Sequence, residues 1–276
     1  MGKVTTATLR RMKEEGQKIT VLTAYDYSMA KILDEAEIDV LLVGDSLGMV
    51  MLGYDSTLPV TMEEMLHHVK AVTRAASRSM VIADMPFLSY HLGLIESLRN
   101  AGRLIQEGGV QAVKLEGGQE VAETVAAMVK AGIPVMGHLG LTPQQVNQLG
   151  GYFVQGKDEG AARKILDDAL ALEEAGVFSI VLECVPAPVA ELITAKVKVP
   201  TIGIGAGPHC DGQVLVTHDI LGLYNDITPK FVKQFASVHE LIKQGLQQYK
   251  DEVRKGIFPE SRHSYGMAEE ELKKLY

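Results

Sequence analysis

Asp39-Val40-Leu41-Leu42-Val43-Gly44-Asp45-Ser46 is the stretch from which the architecture can be read. A short uninterrupted apolar run stops at a glycine, a carboxylate and a hydroxyl. Such a run, bounded by turn residues, fits a strand covered on both faces, as in a parallel sheet. The pattern recurs along the chain: residues 80–83 lead to Asp84, 110–113 to Lys114 and Glu116, 133–137 to His138, 178–182 to Glu183, and 200–204 to Gly205. Buried strands whose last residues carry the chemical groups are how an α/β barrel presents a site at one rim.

Outward from these runs, the intervening segments read as helices. Residues 27–37, 94–107 and 161–175 carry apolar positions at helical spacing, and 188–195 is a shorter helix. Residues 61–77 open on Thr61-Met62-Glu63-Glu64, a capping box in which hydroxyl and carboxylate satisfy free N–H groups. Residues 119–131 close at Gly132 with Pro134 beyond, a normal C-terminal signal. Residues 19–23 form the first strand and 215–217 a weak eighth. Residues 5–15 predict a short N-terminal helix, and 231–254 a mostly helical extension followed by a charged, peripheral tail. The Gly- and Met-rich segment 46–59 is too long for a simple connector and fits a binding loop or lid. A polar, Gly-bearing segment spans 142–159.

Strand and helix alternate about eight times with no linker, so residues 1–276 read as a single (β/α)8 TIM barrel. The alternative is a doubly wound sheet, but no Gly-x-Gly-x-x-Gly follows the first strand. Gly203-Ile204-Gly205-Ala206-Gly207 lies late in the chain and fits a tight turn as readily as a phosphate cradle.

Composition narrows the function. With 46% hydrophobic and 22% charged residues, the 276-residue chain can bury a large core and is not a disordered type. A net charge of −8 argues against a nucleic-acid partner, which needs a basic face. Cys184 and Cys210 make no disulfide framework and fit a reducing interior. No basic-then-apolar leader opens the chain, and no apolar run approaches the roughly 20 residues of a membrane helix. The expectation is a soluble, cytoplasmic protein without a membrane partner.

Asp45, Asp84 and Glu116 end three different strands, and in a barrel such ends converge. Like charges so close repel unless protonated or neutralised by a cation. Hard oxygen ligands suit Mg²⁺. The competing reading is that Asp45 and Asp84 cap the helices after them. Lys114 and Glu116 share a strand face, which suits pairing with an anionic substrate or, alternatively, a structural ion pair. Glu183 ends an apolar run, where desolvation would raise a carboxyl toward the range of a general base; a helix cap or a nearby lysine's partner is its alternative. His138 is a candidate hydrogen-bonding group behind the site or an acid, or simply a packed histidine. A metal, a lysine and a buried base together suit an anionic 2-oxo acid. The metal would withdraw electrons, the base would take the adjacent C–H proton, and the enolate would attack an electrophile.

The motifs TAYDYS, GDSLGMV, DSTLPVT, ADMPF, VKLEGG, GHLGLTPQ, GGYFVQG, VLECVP, IGIGAG and DGQVLV, in this order, resemble the ketopantoate hydroxymethyltransferase family over nearly the whole chain. The resemblance implies a Mg²⁺-dependent barrel enzyme of pantothenate biosynthesis. Such an enzyme moves a one-carbon unit from 5,10-methylenetetrahydrofolate to 3-methyl-2-oxobutanoate, giving 2-dehydropantoate (ketopantoate). It further implies metal binding by Asp45, Asp84 and Glu116, substrate contacts from Asp45, Ser46, Asp84 and Lys114, and proton abstraction by Glu183. His138 is placed near the site. The family implies a homo-oligomer, a decamer. The folate contacts are unassigned; the 205–207 turn and the 46–59 loop are candidates. Two rivals are a barrel enzyme of the phosphoenolpyruvate mutase and isocitrate lyase type, which shares the Mg²⁺ site without folate, and a non-catalytic metabolite-binding barrel.

Overall fold

A computed structural model describes residues 2–224 and 229–276. Eight parallel strands close a barrel in chain order: β1 (Ile19–Thr23), β2 (Val40–Val43), β3 (Met80–Asp84), β4 (Ala112–Glu116), β5 (Val135–Gly140), β6 (Ser179–Glu183), β7 (Thr201–Ile204) and β8 (Gly212–Leu215). β8 pairs back onto β1, with Val21 opposite Val214. The (β/α)8 expectation is met.

The continuous apolar runs are explained by the two environments that each strand divides. Alternate side chains point to opposite faces. Leu41, Val43, Val81, Val113, Ile180 and Leu182 face outward into the layer beneath the helices. Val21, Leu42, Ile82, Met136, Val181 and Ile202 face inward and fill the barrel. Burying a side chain of this size contributes roughly 1.5–3 kcal/mol, so both faces of each strand favour the same register. Along the inward faces of β3, β4 and β5, apolar residues give way to Asp84, Lys114, Glu116 and His138 near the C-terminal ends. Register carries these groups together: Asp84 lies opposite Lys114, and Glu116 opposite His138. Gly140 lies opposite Glu183.

The first helix, α1 (Thr6–Glu14), has a capping box between Thr5 and Thr8. It closes the other end of the barrel, where Leu9 joins the inward core. Helices α2 (Tyr27–Glu35), α3 (Leu47–Val50), α4 (Met62–Ala75), α5 (Leu94–Gln106), α6 (Ala122–Lys130), α7 (Val146–Leu149), α8 (Glu159–Ala175), α9 (Ala187–Lys196), α10 (Thr217–Ile220), α11 (Val238–Arg254) and α12 (Glu269–Leu272) follow. The capping box expected at Thr61 is present, with Thr61 and Glu64 bonded reciprocally.

Three boundaries differ from the sequence reading. The eighth strand begins at Gly212 because that glycine packs against β1, where a Cβ would stand 2.5 Å from the Ile19 carbonyl oxygen. The segment 46–59 holds one helical turn, α3. The C-terminal helix starts at Val238, and Pro229, Lys230 and Phe231 before it turn toward the barrel mouth.

Candidate active site

A cavity of about 510 Å³ opens at the C-terminal ends of the strands, the end where barrels carry their chemistry. Asp45, Ser46, Asp84, Lys114, Glu116, His138 and Glu183 all line it, so the residues singled out from sequence meet in one place. Of the two folate candidates, the 46–59 segment contributes Met49, Val50 and Thr57 to the wall. The 205–207 turn instead packs against protein: a Cβ on Gly205 would lie 2.8 Å from the Phe231 ring.

Burying this many charges is unfavourable unless they compensate one another. Lys114 Nζ lies 2.9 Å from Asp84 Oδ1. Burial opposes the ammonium charge, but Asp84, Glu116 and Asp45 outweigh it and raise the lysine pKa. Asp84 Oδ2 also accepts from the Asp45 backbone N–H at 3.1 Å. Asp45 itself is pushed well above the ordinary carboxylate range, first by burial and then by Asp84 and Glu116. The cluster is therefore short of positive charge.

His138 sits between two carboxylates. Its Nε2 lies 3.1 Å from Glu183 Oε2, and its Nδ1 lies 3.5 Å from Glu116 Oε1. Burial and Lys114 work against a charged imidazole, yet the two glutamates prevail and raise its pKa to about 9. Glu183 is less enclosed than the others and stands at the cavity wall. Next to it Cys184 adopts φ +48°. Burial, then Glu183, pushes its thiol up to about 11, so it is not a ready nucleophile.

Local backbone requirements fix these positions. A Cβ on Gly44 would stand 2.7 Å from Ser46 Oγ, and one on Gly140 (φ +93°) would stand 2.2 Å from the Glu183 carbonyl oxygen. Glycine at 44 lets Ser46 turn back to Tyr25, whose hydroxyl lies 2.8 Å from Ser46 Oγ. Glycine at 140 lets β5 approach the end of β6.

Gln144 is a site residue that the sequence reading missed. Its Nε2 donates to Asp45 Oδ2 at 2.8 Å and to the Met85 carbonyl at 3.0 Å, while its backbone N–H donates to Glu116 Oε2 at 3.0 Å. Tyr90 donates to Gln144 Oε1 at 2.7 Å and accepts from the Glu116 backbone N–H at 3.2 Å. The signal lay in the quoted GHLGLTPQ motif, where Pro143 starts the short turn Pro143–Gln145 that aims Gln144 inward.

Among the described residues, no three His, Cys, Asp or Glu side chains stand together at metal-ligating geometry. The donor chemistry nonetheless fits a hard divalent cation. The carboxylates offer oxygen ligands only, and buried Asp84 Oδ1 makes no aligned hydrogen bond, its one close partner being the Lys114 ammonium at 2.9 Å.

Comparison with known proteins gives this constellation a context. Residues 3–261 match the family profile described as ketopantoate hydroxymethyltransferase. A protein of Carboxydothermus hydrogenoformans named 3-methyl-2-oxobutanoate hydroxymethyltransferase is 62% identical over 276 residues, covering 100% of both chains. One of the same name from Syntrophus aciditrophicus is 59% identical, over 95% of this chain and 97% of its own. Among solved structures, a phosphonopyruvate hydrolase complex with oxalate and Mg²⁺ aligns with TM-score 0.62 at 14% identity, covering 95% of this chain and 93% of that one. A 2,3-dimethylmalate lyase of the phosphoenolpyruvate mutase and isocitrate lyase superfamily aligns with TM-score 0.59 at 17% identity, covering 99% and 98%. Those two likenesses concern the fold alone. The family match and the full-length relatives go further: the chain belongs to the ketopantoate hydroxymethyltransferase family.

Proposed function

We propose that this enzyme transfers a hydroxymethyl unit to 3-methyl-2-oxobutanoate, giving 2-dehydropantoate, the ketopantoate of pantothenate biosynthesis. The donor is 5,10-methylenetetrahydrofolate and the cofactor Mg²⁺. The observation that carries this reading is the 62% identity, without gaps in coverage, to a relative of that name. The two unpaired thiols and the absence of a helix long and apolar enough to cross a membrane among the described residues support a cytoplasmic location.

Asp45, Asp84 and Glu116 would hold the metal, with Gln144 fixing the first and third. When bound, Mg²⁺ supplies Lewis acidity to the 2-oxo acid, making its C3 proton easier to remove. Lys114 and Ser46 bind and orient the anionic substrate. Glu183 accepts the C3 proton at a carboxylate oxygen. His138 stands 3.1 Å away and supplies positive charge beside that carboxylate. The carbon freed of its proton forms the new C–C bond to the methylene unit. That unit leaves its folate nitrogen and gains water, so the balanced products are 2-dehydropantoate and tetrahydrofolate.

The test is an assay of 2-dehydropantoate from keto acid and methylenetetrahydrofolate, with and without Mg²⁺. Product only when all three are present is expected. Full turnover in exhaustively chelated protein would overturn the metal assignment. Absence of product under every condition would overturn the activity.

A further inference from the structure

The cavity of about 510 Å³ lies within the roughly 300–1,000 Å³ of sites for drug-sized ligands, well beyond the need of a five-carbon oxo acid. Its two halves differ chemically. Strands β2 to β6 and the residues following them supply the acids, the base and the ammonium group described above. The other half is walled by Ile204, Val214, Leu215, Val216, Tyr224 and Phe231.

Into this apolar half comes one carboxylate, Asp219, from the single-turn helix α10. Among the described residues its side chain receives no hydrogen bond and no ion pair, and burial alone pushes it up to about 6. Lys230 lines the same half without pairing with it. A partly buried carboxylate without protein donors is unfavourable, so a ligand that brings paired donors to it gains a charge-assisted interaction there.

We propose that Asp219 recognises the N–H edge of the pterin ring of the one-carbon donor. The ring's N3–H and exocyclic 2-amino group are adjacent donors, matched to the two oxygens of one carboxylate. The apolar side chains of β7, β8 and Phe231 take the flat faces of the ring. The opposite edge is thereby directed toward the half that holds the keto acid, where the C–C bond must form. This inference rests on the folate reading of the donor.

The experiment titrates intact protein with tetrahydrofolate in the presence of Mg²⁺ and 3-methyl-2-oxobutanoate. Wild type is compared with Asp219→Asn, whose amide places a donor against the ring's donors. A second titration uses wild type alone with 2-desamino-tetrahydrofolate, so the result does not depend on how the variant folds. Weakening of about tenfold or more is expected in both comparisons, the loss of a charge-assisted pair. Equal affinity of wild type for the two ligands, or of the two proteins for tetrahydrofolate, would overturn the assignment of Asp219. No measurable affinity of wild type for tetrahydrofolate would instead overturn the donor reading, and this inference with it.

Discussion

His138 shows how the site is tuned at the level of single residues. Burial alone would strip its proton, yet Glu116 and Glu183 flank it and keep it charged to about pH 9. The imidazole stands 3.1 Å from Glu183 without an aligned hydrogen bond, so it acts on that carboxylate through charge. If Glu183 is the base, wild type should exchange the C3 hydrogen of 3-methyl-2-oxobutanoate with solvent even without folate. Glu183→Gln keeps the shape but cannot accept the proton, so exchange followed by NMR in deuterated water should fall by about two to four orders of magnitude. Unchanged exchange would transfer the role to another group. A second prediction concerns Gln144. Gln144→Met keeps the bulk but removes the donor to Asp45, and partners that orient metal ligands are worth about 10–100-fold in affinity. Mg²⁺ titration should show that loss, and an unchanged affinity would remove Gln144 from the metal site. Asp45, Asp84, Lys114, Glu116 and Glu183 were legible in the sequence because each breaks or ends an apolar run. Gln144 was not, because its partners Glu116 and Asp45 lie 28 and 99 residues away. Asp219 was hidden for a different reason: a polar residue in a short helix looks like any exposed one until the cavity is seen.

At the scale of elements, Asp34 links the end of α2 to the start of β3. Its oxygens accept from the Ser77 N–H at 3.0 Å, the Ser77 hydroxyl at 2.6 Å, the Arg78 N–H at 3.0 Å and the Ser79 N–H at 2.7 Å. Burial works against its charge, but the hydrogen bonds from Ser77 and Ser79 prevail and hold the carboxyl well below the ordinary range. A pKa lowered in the folded state adds stability above the unfolded value, near 4, and that stability fades as pH falls further. Asp34→Ala leaves the buried Ser79 N–H without its acceptor and removes the charge-assisted bonds from Ser77 and Arg78, so it should cost about 2–3 kcal/mol near neutrality. For a chain of this size that corresponds to a melting point lower by roughly 5 °C. Between about pH 5 and 3 the gap between wild type and variant should narrow; a gap that stays constant would show that the charge is not what stabilises the junction. Element types were legible because glycine and proline punctuate the helices and because strands such as β2 and β3 are buried on both faces. The eighth strand was misplaced because Gly212 reads as a break. Its lack of a side chain is what lets it sit against the Ile19 carbonyl, a contact visible only once β1 and β8 are neighbours.

At the scale of the molecule, the two ends of the chain behave differently. The N-terminal segment is absorbed into the barrel, with Val4 and Leu9 buried and Lys13 paired to Asp211 at 2.7 Å. The C-terminal helix α11 has no buried residue. Yet Val238, Leu241, Ile242, Leu246, Tyr249 and Val253 recur at helical spacing, the stripe of a helix made to pack against something. Leu241 is 65% exposed and Leu246 63%. Helical stability in proteins comes mostly from such packing, so a 17-residue helix with its apolar stripe in water lacks its main support. We propose that further copies of the same chain cover it, within the closed homo-oligomer, a decamer, that the family resemblance implies. Closed symmetry is the ordinary way for a soluble chain to satisfy one self-complementary face on every copy. Light scattering after size exclusion should give a mass several times the 29.9 kDa of the chain. Leu246→Glu, which places a charge in the stripe without touching the barrel, should lower that mass while leaving the barrel folded. A wild-type species at 29.9 kDa would sink the proposal. A large assembly indifferent to Leu246→Glu would place the interface on another face, such as the exposed Leu92, Leu94 and Ile95 at the start of α5.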